Sequence, residues 1–340
     1  MIRNTITFII FFISIGLKAQ TPVFTGFTFL FGVHIEGDSL YFCDANALYK
    51  SNLTQTPLTY TTVYNNYLET LGFDVYNNYL YGASEGADEI YKIDLSTGVR
   101  TTVLSGLSNP EGVVIIGDHL YYSSVLDSKI YAIDLTAATP SPIPIVDGLA
   151  GGAGMYNVGT TIYVADLYGN GIYSFNSADT LPSLTLEVAE TSIVDLIVIG
   201  NYVYYINLSN ATLSRADLTG NTPNTVLLSG LGYPVSLDAH GNQLYISDGN
   251  TTLYTYTLPS LNTEDVALNR LNLYPNPTSE YIQLNNLKEA TDFSIYDMLG
   301  KKVLKGTMLP DTPFKISALE NGSYFLKTID GQTFKFIKNR

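Results

Sequence analysis

Glu111 and Asp195 are the two acidic residues that the sequence places where they could hold a cation. Both belong to a pattern that recurs about every 41 residues, and both stand in or directly beside its column of small residues. Carboxylates from separate segments could converge on a divalent cation such as Ca²⁺, because a hard cation takes several oxygen ligands. We therefore expect any metal site at Glu111 and Asp195, and we assign no catalytic residue and no other cofactor.

The remaining reactive side chains are expected to serve structure. His34, His119 and His240 lie at different offsets in the recurring pattern, so they cannot form a ring around a common axis. A lone histidine on a strand is commonly a surface or packing residue. Cys43 has no histidine at a matching position, so a buried and inert thiol is expected there.

The elements that must position these residues are repeats rich in tyrosine. An aliphatic residue followed by tyrosine recurs six times at separations of 40 to 42 residues, in β-branched and aromatic segments broken by short polar turns. The tyrosines are Tyr41, Tyr81, Tyr121, Tyr163, Tyr204 and Tyr245. Self-similarity at this period is typical of a β-propeller, in which each repeat is one four-stranded blade. The sequence therefore predicts a six-bladed β-propeller.

A second column of the repeat indicates where the propeller axis lies. The residue nine positions before each tyrosine is small in nearly every repeat: Gly32, Gly72, Gly112, Gly154, Asp195 and Ser236. Small residues are expected where the innermost strands crowd around the axis and a side chain would collide with its neighbour. Glu111 directly precedes this column in the third repeat. Glu111 and Asp195 are accordingly expected at one mouth of the central channel.

The ends of the repeat region predict how the ring closes and where the domains divide. Residues 23–27 resemble the outer strand of later repeats but have no blade before them, and the last repeat stops after three strands at Leu258. The N-terminal strand should complete the sixth blade. We predict an all-β chain with a six-bladed β-propeller at 20–258, a polar linker at 259–269 and a small β-sandwich-like domain at 270–340.

The N-terminus is typical of a secretory signal peptide. Arg3 precedes an apolar run at 6–17, and Lys18, Ala19 and Gln20 follow. A run of that length is too short to span a bilayer, which needs about 20 residues. We expect residues 1–19 to be removed and the mature protein to have no transmembrane segment.

The charge distribution excludes one class of partner. The chain has a net charge of −14, and residues 21–269 hold five Lys or Arg against 24 Asp or Glu, a net charge of −19. Residues 270–340 hold ten basic and seven acidic residues, a net charge of +3. Nucleic acid is bound through clusters of Lys and Arg, so we expect no nucleic-acid partner. The single cysteine also excludes an internal disulfide.

The local repeat pattern, Leu-Tyr-X-X-Asp followed by Ile-Tyr-X-X-Asp-Leu, is complete at 120–135 apart from Ser at its first Asp position. This pattern resembles the YWTD repeat of receptor propellers and is similar to NHL-type and gluconolactonase-type propellers, although no repeat contains a tryptophan. Gluconolactonase-like propellers hold a divalent cation at the channel mouth through Glu, Asn and Asp side chains. The resemblance therefore implies that Glu111 and Asp195 are the matching acidic residues here, and no asparagine matches.

The C-terminal region carries the most specific motifs of the chain. They are Tyr274-Pro275-Asn276-Pro277, the hairpin motif at 296–301, Gly322-Ser323-Tyr324-Phe325 and the basic end at 335–338. In order and spacing these motifs resemble the type IX (Por) secretion system C-terminal sorting domain of certain Gram-negative bacteria. The resemblance implies that residues 270–340 engage the type IX secretion machinery. It also implies export across both membranes and a secreted or cell-surface location.

Three classes of function remain open from the sequence. The first is a binding or interaction module that recognises an extracellular protein, peptide or glycan. The second is a secreted metal-dependent hydrolase or lactonase with its site at the channel mouth. The third is a structural adhesin. We favour the binding module, because no catalytic constellation appears in the sequence and a fold alone supplies no chemistry.

Overall fold

The computed structural model describes residues 20–66, 69–258, 272–285, 287, 290–298, 301–310, 312–328 and 333–339. The expected signal peptide at 1–19, the expected linker at 259–269 and positions 299–300 of the hairpin motif lie outside the described residues. The chain divides into two compact units between Leu258 and Pro259. All helical or strand elements of the described residues are β-strands, which confirms the all-β prediction.

The described part of the N-terminal unit forms 24 strands in six antiparallel sheets of four. The strands are β1 (Thr21–Thr25), β2 (Val33–Glu36), β3 (Ser39–Cys43), β4 (Leu48–Asn52), β5 (Tyr60–Tyr64), β6 (Phe73–Tyr76), β7 (Tyr79–Ser84), β8 (Glu89–Asp94), β9 (Arg100–Ser105), β10 (Pro110–Ile116), β11 (His119–Ser124), β12 (Lys129–Asp134), β13 (Ile143–Asp147), β14 (Gly152–Val158), β15 (Thr161–Asp166), β16 (Gly171–Asn176), β17 (Thr185–Ala189), β18 (Ile193–Ile199), β19 (Tyr202–Asn207), β20 (Thr212–Asp217), β21 (Thr225–Ser229), β22 (Ser236–His240), β23 (Gln243–Ser247) and β24 (Thr252–Thr257). Five sheets are consecutive meanders, β2 to β5, β6 to β9, β10 to β13, β14 to β17 and β18 to β21. The sixth sheet has the order β1, β24, β23, β22.

A tight hairpin joins the innermost strand of each sheet to the strand beside it, β2 to β3, β6 to β7, β10 to β11, β14 to β15, β18 to β19 and β22 to β23. The residues of these turns explain their backbone conformation. In the third sheet Ile116 pairs with His119, which leaves a two-residue turn whose first residue, Gly117, has φ 61°. Left-handed φ values match the twist of hairpin strands, and glycine adopts them without steric cost. In the second sheet Asn77 and Asn78 take this place with φ 49° and 65°, consistent with the tolerance of asparagine for this conformation.

One edge strand of each sheet is the innermost strand, and the six innermost strands crowd together around the axis. Contacts between them run in the order β2, β6, β10, β14, β18, β22 and return to β2. A Cβ atom on Gly72 would lie 2.6 Å from the carbonyl oxygen of Glu111 and 2.7 Å from the Cα of Gly112. Gly112 and Gly154 are equally obstructed by the next strand in the series. The expected reason for the small-residue column is thereby confirmed.

The hydrophobic core of this unit lies between successive sheets. Tyr204 and Ile206 of the fifth sheet pack with Leu237 and Leu244 of the sixth in one cluster of buried side chains. Equivalent clusters occur at the other junctions between neighbouring sheets. Each sheet therefore depends on both neighbours to bury its two faces.

Strand β1 belongs to the same sheet as the last strand of the unit. Thr21 pairs with Thr255, and Thr25 pairs with Thr252. Phe24 of β1 is 8% exposed and stacks on Phe42 of the first sheet with ring centroids 5.5 Å apart. The strand thus contributes both backbone pairing and core packing, although it lies at the start of the chain.

The C-terminal unit is built separately. Its strands are β25 (Asn272–Tyr274), β26 (Tyr281–Asn285), β27 (Thr291–Asp297), β28 (Lys302–Met308), β29 (Phe314–Lys315), β30 (Gly322–Thr328) and β31 (Thr333–Lys338). They form a sheet with the order β25, β26, β29 and another with the order β28, β27, β30, β31. Ile282 of the smaller sheet and Ile295, Leu326 and Phe336 of the larger one share one hydrophobic cluster.

The packing of β1 predicts a large effect of one phenylalanine and a small effect of another. Replacing Phe24 with Ala removes a buried aromatic side chain and should lower the free energy of unfolding by about 3–5 kcal/mol. Phe29, which is 60% exposed in the same N-terminal stretch, supplies the matched control. Thermal and denaturant unfolding should show a strong loss for Phe24→Ala and a small one for Phe29→Ala. Equal stability of the two variants would contradict the role of β1.

Candidate functional site

Glu111 lies in a cavity formed where the innermost strands begin. The cavity has a volume of about 530 Å³. Its polar lining comes from the start of β10 and from the loops and hairpins at this end of the sheets: Glu69, Glu85, Asn109, Glu111, Tyr168, Ser192, Ser209 and Tyr233. We call it the mouth cavity.

A β-bulge directs Glu111 at the start of β10. Pro110 pairs with Ser124 and Val113 with Tyr122, so Glu111 and Gly112 together face Ser123 alone. Bulges of this kind re-aim a side chain relative to the regular alternation of a strand. The Gly112 amide donates a hydrogen bond to Ser123 Oγ at 2.7 Å, which compensates for the interrupted ladder.

The Glu111 side chain is largely buried and has no hydrogen-bond partner among the described residues. Its residue is 5% exposed, and no hydrogen-bond donor contacts its side chain among the described residues. Burial raises the pKa of Glu111 to about 8, and the nearby charges of Glu85 and Asp195 raise it further in the same direction. The raised pKa favours the neutral form of the side chain near neutral pH, and a partner for its charged form would shift that balance.

Asn109 adds a second unsatisfied acceptor to the mouth cavity. Its Nδ2 donates to Glu85 Oε1 at 2.9 Å, and its amide donates to Asp88 Oδ1 at 3.2 Å. These bonds hold the residue in a left-handed conformation with φ 54°. Its Oδ1 is buried and receives no hydrogen bond within the described part of the chain. A donor supplied by a ligand would satisfy it.

The rim and walls of the mouth cavity are aromatic and aliphatic. Tyr168 is 71% exposed and Tyr233 is 54% exposed, and both contribute to the lining. Phe31, Leu71 and Val125 form part of the wall. Apolar walls with a few convergent polar groups are the usual composition of a site for small molecules or side chains.

Asp195 lines a different cavity. This second space, of about 380 Å³, lies further along the innermost strands, and we call it the channel cavity. Asp195 Oδ2 accepts hydrogen bonds from Ser236 Oγ at 2.9 Å and from the Leu237 amide at 3.0 Å. Its Oδ1 accepts from the Leu196 amide at 2.9 Å. The carboxylate thus joins β18 to β22.

Burial raises the pKa of Asp195 to about 7, and its hydrogen bonds from Leu237 and Ser236 oppose that rise. The structure therefore places the two predicted acidic residues in separate cavities rather than in one. They remain close enough for the charge of Asp195 to raise the pKa of Glu111. Among the described residues, no group of three or more His, Cys, Asp or Glu side chains is arranged to hold a metal ion.

A column that the sequence reasoning missed lines the channel cavity. The residues seven positions before each repeat tyrosine are His34, Asp74, Val114, Tyr156, Ile197 and Asp238. Asp74 Oδ2 accepts from the Ile115 amide at 2.7 Å, and Asp238 Oδ2 accepts from the Ile35 amide at 2.6 Å. Counting two residues further along the innermost strand could have found this column, because alternate residues of a strand face the same side.

His34 occupies the space between two of these aspartates. Its Nε2 lies 3.5 Å from Asp74 Oδ1, and its Nδ1 lies 3.5 Å from Asp238 Oδ2. The histidine therefore faces the channel next to acidic groups of both neighbouring sheets.

Cys43 is 1% exposed, and burial raises the pKa of its thiol to about 12. The expectation of a buried, unreactive thiol is confirmed.

The C-terminal unit supplies the decisive comparison. Residues 272–339 match the family described as "Secretion system C-terminal sorting domain". The protein is a type IX secretion substrate. It is exported to the cell surface or the extracellular space. In the described part of the chain, no helix has the length and apolarity required to cross a membrane.

Solved structures similar to the exported chain are β-propellers of different functions. A gluconolactonase from Xanthomonas campestris is 14% identical over 70% of this chain and 89% of its own, with a TM-score of 0.58. A calcium-binding protein, regucalcin, from Agrobacterium tumefaciens is 13% identical over 71% and 94%, with a TM-score of 0.55. A chain of a nidogen/laminin complex is 17% identical over 62% and 85%, with a TM-score of 0.52. At these identities the likeness shows the β-propeller fold alone.

The buried carboxyl of Glu111 predicts an unusual dependence of stability on pH. Its pKa is higher in the folded chain, about 8, than in the unfolded chain, so the folded state keeps its proton while the unfolded state loses it. Stability is therefore full below about pH 4.5 and falls as the pH rises toward 8. Glu111→Gln removes this loss of stability. The loss amounts to about 1.4 kcal/mol for each pH unit by which the pKa of the folded chain exceeds that of the unfolded chain.

Unfolding of the two proteins between pH 4 and 9 measures the effect. The variant should gain a few kcal/mol over the parent as the pH rises, with most of the gain between pH 5 and 8. Glu36→Gln, the same change at an exposed end of β2, should leave the pH profile of the parent unchanged. A constant difference between Glu111→Gln and the parent at every pH would show that Glu111 has an ordinary pKa.

Proposed function

We propose that the protein is a binding module that acts at the cell surface or outside the cell and recognises an extracellular protein, peptide or glycan at the mouth cavity. The observation that carries the proposal is the Glu111 carboxyl, which is 5% exposed, lines the cavity and has no partner among the described residues. Asn109 Oδ1 in the same cavity is a buried acceptor without a donor. Leaving such an acceptor unsatisfied costs about 1–3 kcal/mol, so its retention favours a role in binding a ligand.

We also propose the domain organisation expected from the sequence. A signal peptide at 1–19 precedes a six-bladed propeller at 20–258 that β1 closes, and a linker at 259–269 leads to the sorting domain at 270–340. The pairing of β1 with β24 supports closure, and the division between Leu258 and Pro259 supports the domain boundary. Closure leaves the sheets only short edges, which protects an extracellular protein from edge-to-edge aggregation.

Removing the aromatic rim should abolish recognition. The full chain and a Tyr168→Ala, Tyr233→Ala variant would be applied to peptide and glycan arrays at neutral pH. Aromatic side chains at the edge of a pocket commonly supply much of the binding energy, so the variant should lose at least tenfold in signal on the bound spots. Leu181→Ala, which changes an 88% exposed residue outside the cavity, should bind as the parent does. Unchanged array binding by the rim variant would reject the mouth cavity as the recognition site.

The alternative function is a secreted metal-dependent hydrolase or lactonase. One observation favours it: the charge of Asp195 is near enough to Glu111 to raise its pKa, so a cation placed between them would be attracted by both. The three hydrogen bonds that occupy Asp195 oppose it, since they already satisfy the oxygens that a metal would need.

Calcium binding and hydrolysis distinguish the alternative. We expect no calcium-dependent hydrolysis of lactones or esters by the protein. Calorimetric titration with CaCl₂ would be compared with turnover in the parent, Glu111→Gln and Asp195→Asn. Calcium binding alone would not establish an enzyme, because the acidic body attracts cations in any case. Calcium-dependent turnover that disappears in both variants would overturn the binding-module proposal.

A further inference from the structure

The mouth cavity presents hydrogen-bond acceptors and no cationic side chain. Glu69, Glu85 and Glu111 contribute carboxyl groups, and Asn109 contributes a buried Oδ1 without a donor. No Lys, Arg or His lies among the described residues that line the cavity. A donor for Asn109 Oδ1 and a positive charge beside Glu111 must therefore come from a ligand.

Glu111 and Asn109 mark the floor of the cavity as the place where those donors are needed. Glu111 is more than nine-tenths buried, and its carboxyl contacts no donor within the described residues. The two polar side-chain atoms of Asn109, two residues before Glu111, differ in their partners. Its Nδ2 bonds Glu85, whereas its Oδ1 remains unpaired. The unpaired Oδ1 of Asn109, two residues from Glu111, is an independent indication of a missing donor.

The remainder of the cavity favours an organic ligand over a bare ion. Phe31, Leu71 and Val194 provide apolar wall, and the exposed rings of Tyr168 and Tyr233 stand at the rim. Aromatic faces attract organic cations through their negative π surface. A volume of about 530 Å³ is within the range of sites that take small organic groups.

We propose that the mouth cavity binds a cationic side chain of an extracellular peptide or protein, either a lysine ammonium or an arginine guanidinium. The charged end lies against Glu111 and Asn109, and the aliphatic stem packs against Phe31 and Leu71. This inference rests on the proposed function, because it names the ligand class of that same cavity. The net charge of −19 over residues 21–269 would attract such a partner from a distance.

A divalent metal fits the same cavity less well. Ca²⁺ takes about six to eight oxygen ligands at close range. The described residues contain no group of three or more acidic, His or Cys side chains arranged for a metal ion. A bare ion would also leave the apolar wall and the tyrosine rim without contacts. An alkylammonium or guanidinium group uses both the acceptors and the apolar surface.

Binding should be linked to the proton of Glu111. The other titratable groups that line the mouth cavity are Glu85 from the hairpin between β7 and β8, Glu69 from the loop before β6, Tyr168 and Tyr233. The charge of Asp195 on β18 reaches Glu111 from the channel cavity. Burial, with Glu85 and Asp195, raises the pKa of Glu111 to about 8. A bound cation favours the ionised carboxylate, so the affinity should rise by up to roughly tenfold per pH unit below 8 and level off above it.

Isothermal titration calorimetry on the full chain tests the proposal with three probes. The first is the Nα-acetyl, N-methylamide derivative of lysine, and the second is the corresponding arginine compound. The third is the lysine compound with its side-chain amine acetylated, which keeps the stem and removes the charge. Parent, Glu111→Gln and Glu36→Gln would be titrated at pH 6, 7, 8 and 9, where a lysine side chain with an ordinary pKa of about 10.4 stays charged.

The proposal predicts that at least one cationic probe binds the parent and that the acetylated probe does not. Affinity should rise from pH 6 to pH 8, fall at least tenfold in Glu111→Gln, and lose its pH dependence in that variant. Glu36→Gln should behave as the parent does. Comparison of the affinities for the lysine and arginine compounds shows which cation the cavity prefers.

Three results would overturn the proposal: equal binding of the acetylated probe, undiminished binding by Glu111→Gln, or no binding of any probe to the parent. Array recognition that depends on Tyr168 and Tyr233, without binding of a cationic probe, would reject this ligand class and leave the binding module standing. Loss of both signals would reject the binding module as well.

Discussion

The close approach of the innermost strands around the axis is the constraint on which the rest of the structure depends. Gly72 has no room for a Cβ atom because the backbone of Glu111 and Gly112 already occupies that space. A polar group in this ring must therefore find a partner in the protein, face one of the two cavities or remain unpaired. The same crowding closes the core between each pair of sheets, and the burial that results raises the pKa of Glu111, Asp195 and Asp238.

Two acidic residues respond to this constraint in opposite ways. Asp195 accepts hydrogen bonds from Ser236 and the Leu237 amide, so its carboxylate fastens one sheet to the next. Asp74 and Asp238 do the same for their neighbours. Glu111, displaced by a bulge to the cavity floor, has no such bond within the described residues. In the repeat, Glu111 stands one position before the small-residue column to which Asp195 belongs. A shift of one position along the strand therefore separates a carboxylate that joins two sheets from a carboxyl that is available to a ligand.

The sequence predicted the parts of the fold that repeat. The tyrosine period, the glycine column and the strand content all follow from local pattern, and the glycines lie where backbone crowding requires them. The cavity at Glu111 was not predictable in this way. Its bulge interrupts the regular pairing of β10, and the bond from Ile35 to Asp238 joins residues 203 positions apart. Contacts between residues far apart in the sequence depend on how the sheets pack together, and a local repeat pattern does not predict that packing.

The most direct measurement is a titration of the Glu111 carboxyl itself. Carbon-13 NMR of the full chain labelled at glutamate, with Glu111→Gln to assign the signal, would follow its ionisation with and without the charged lysine compound. We expect a midpoint at about pH 8 that moves lower when the compound binds. A midpoint near the ordinary value of 4.5, unaffected by the compound, would contradict both the raised pKa of this largely buried carboxyl and its role in binding a cation.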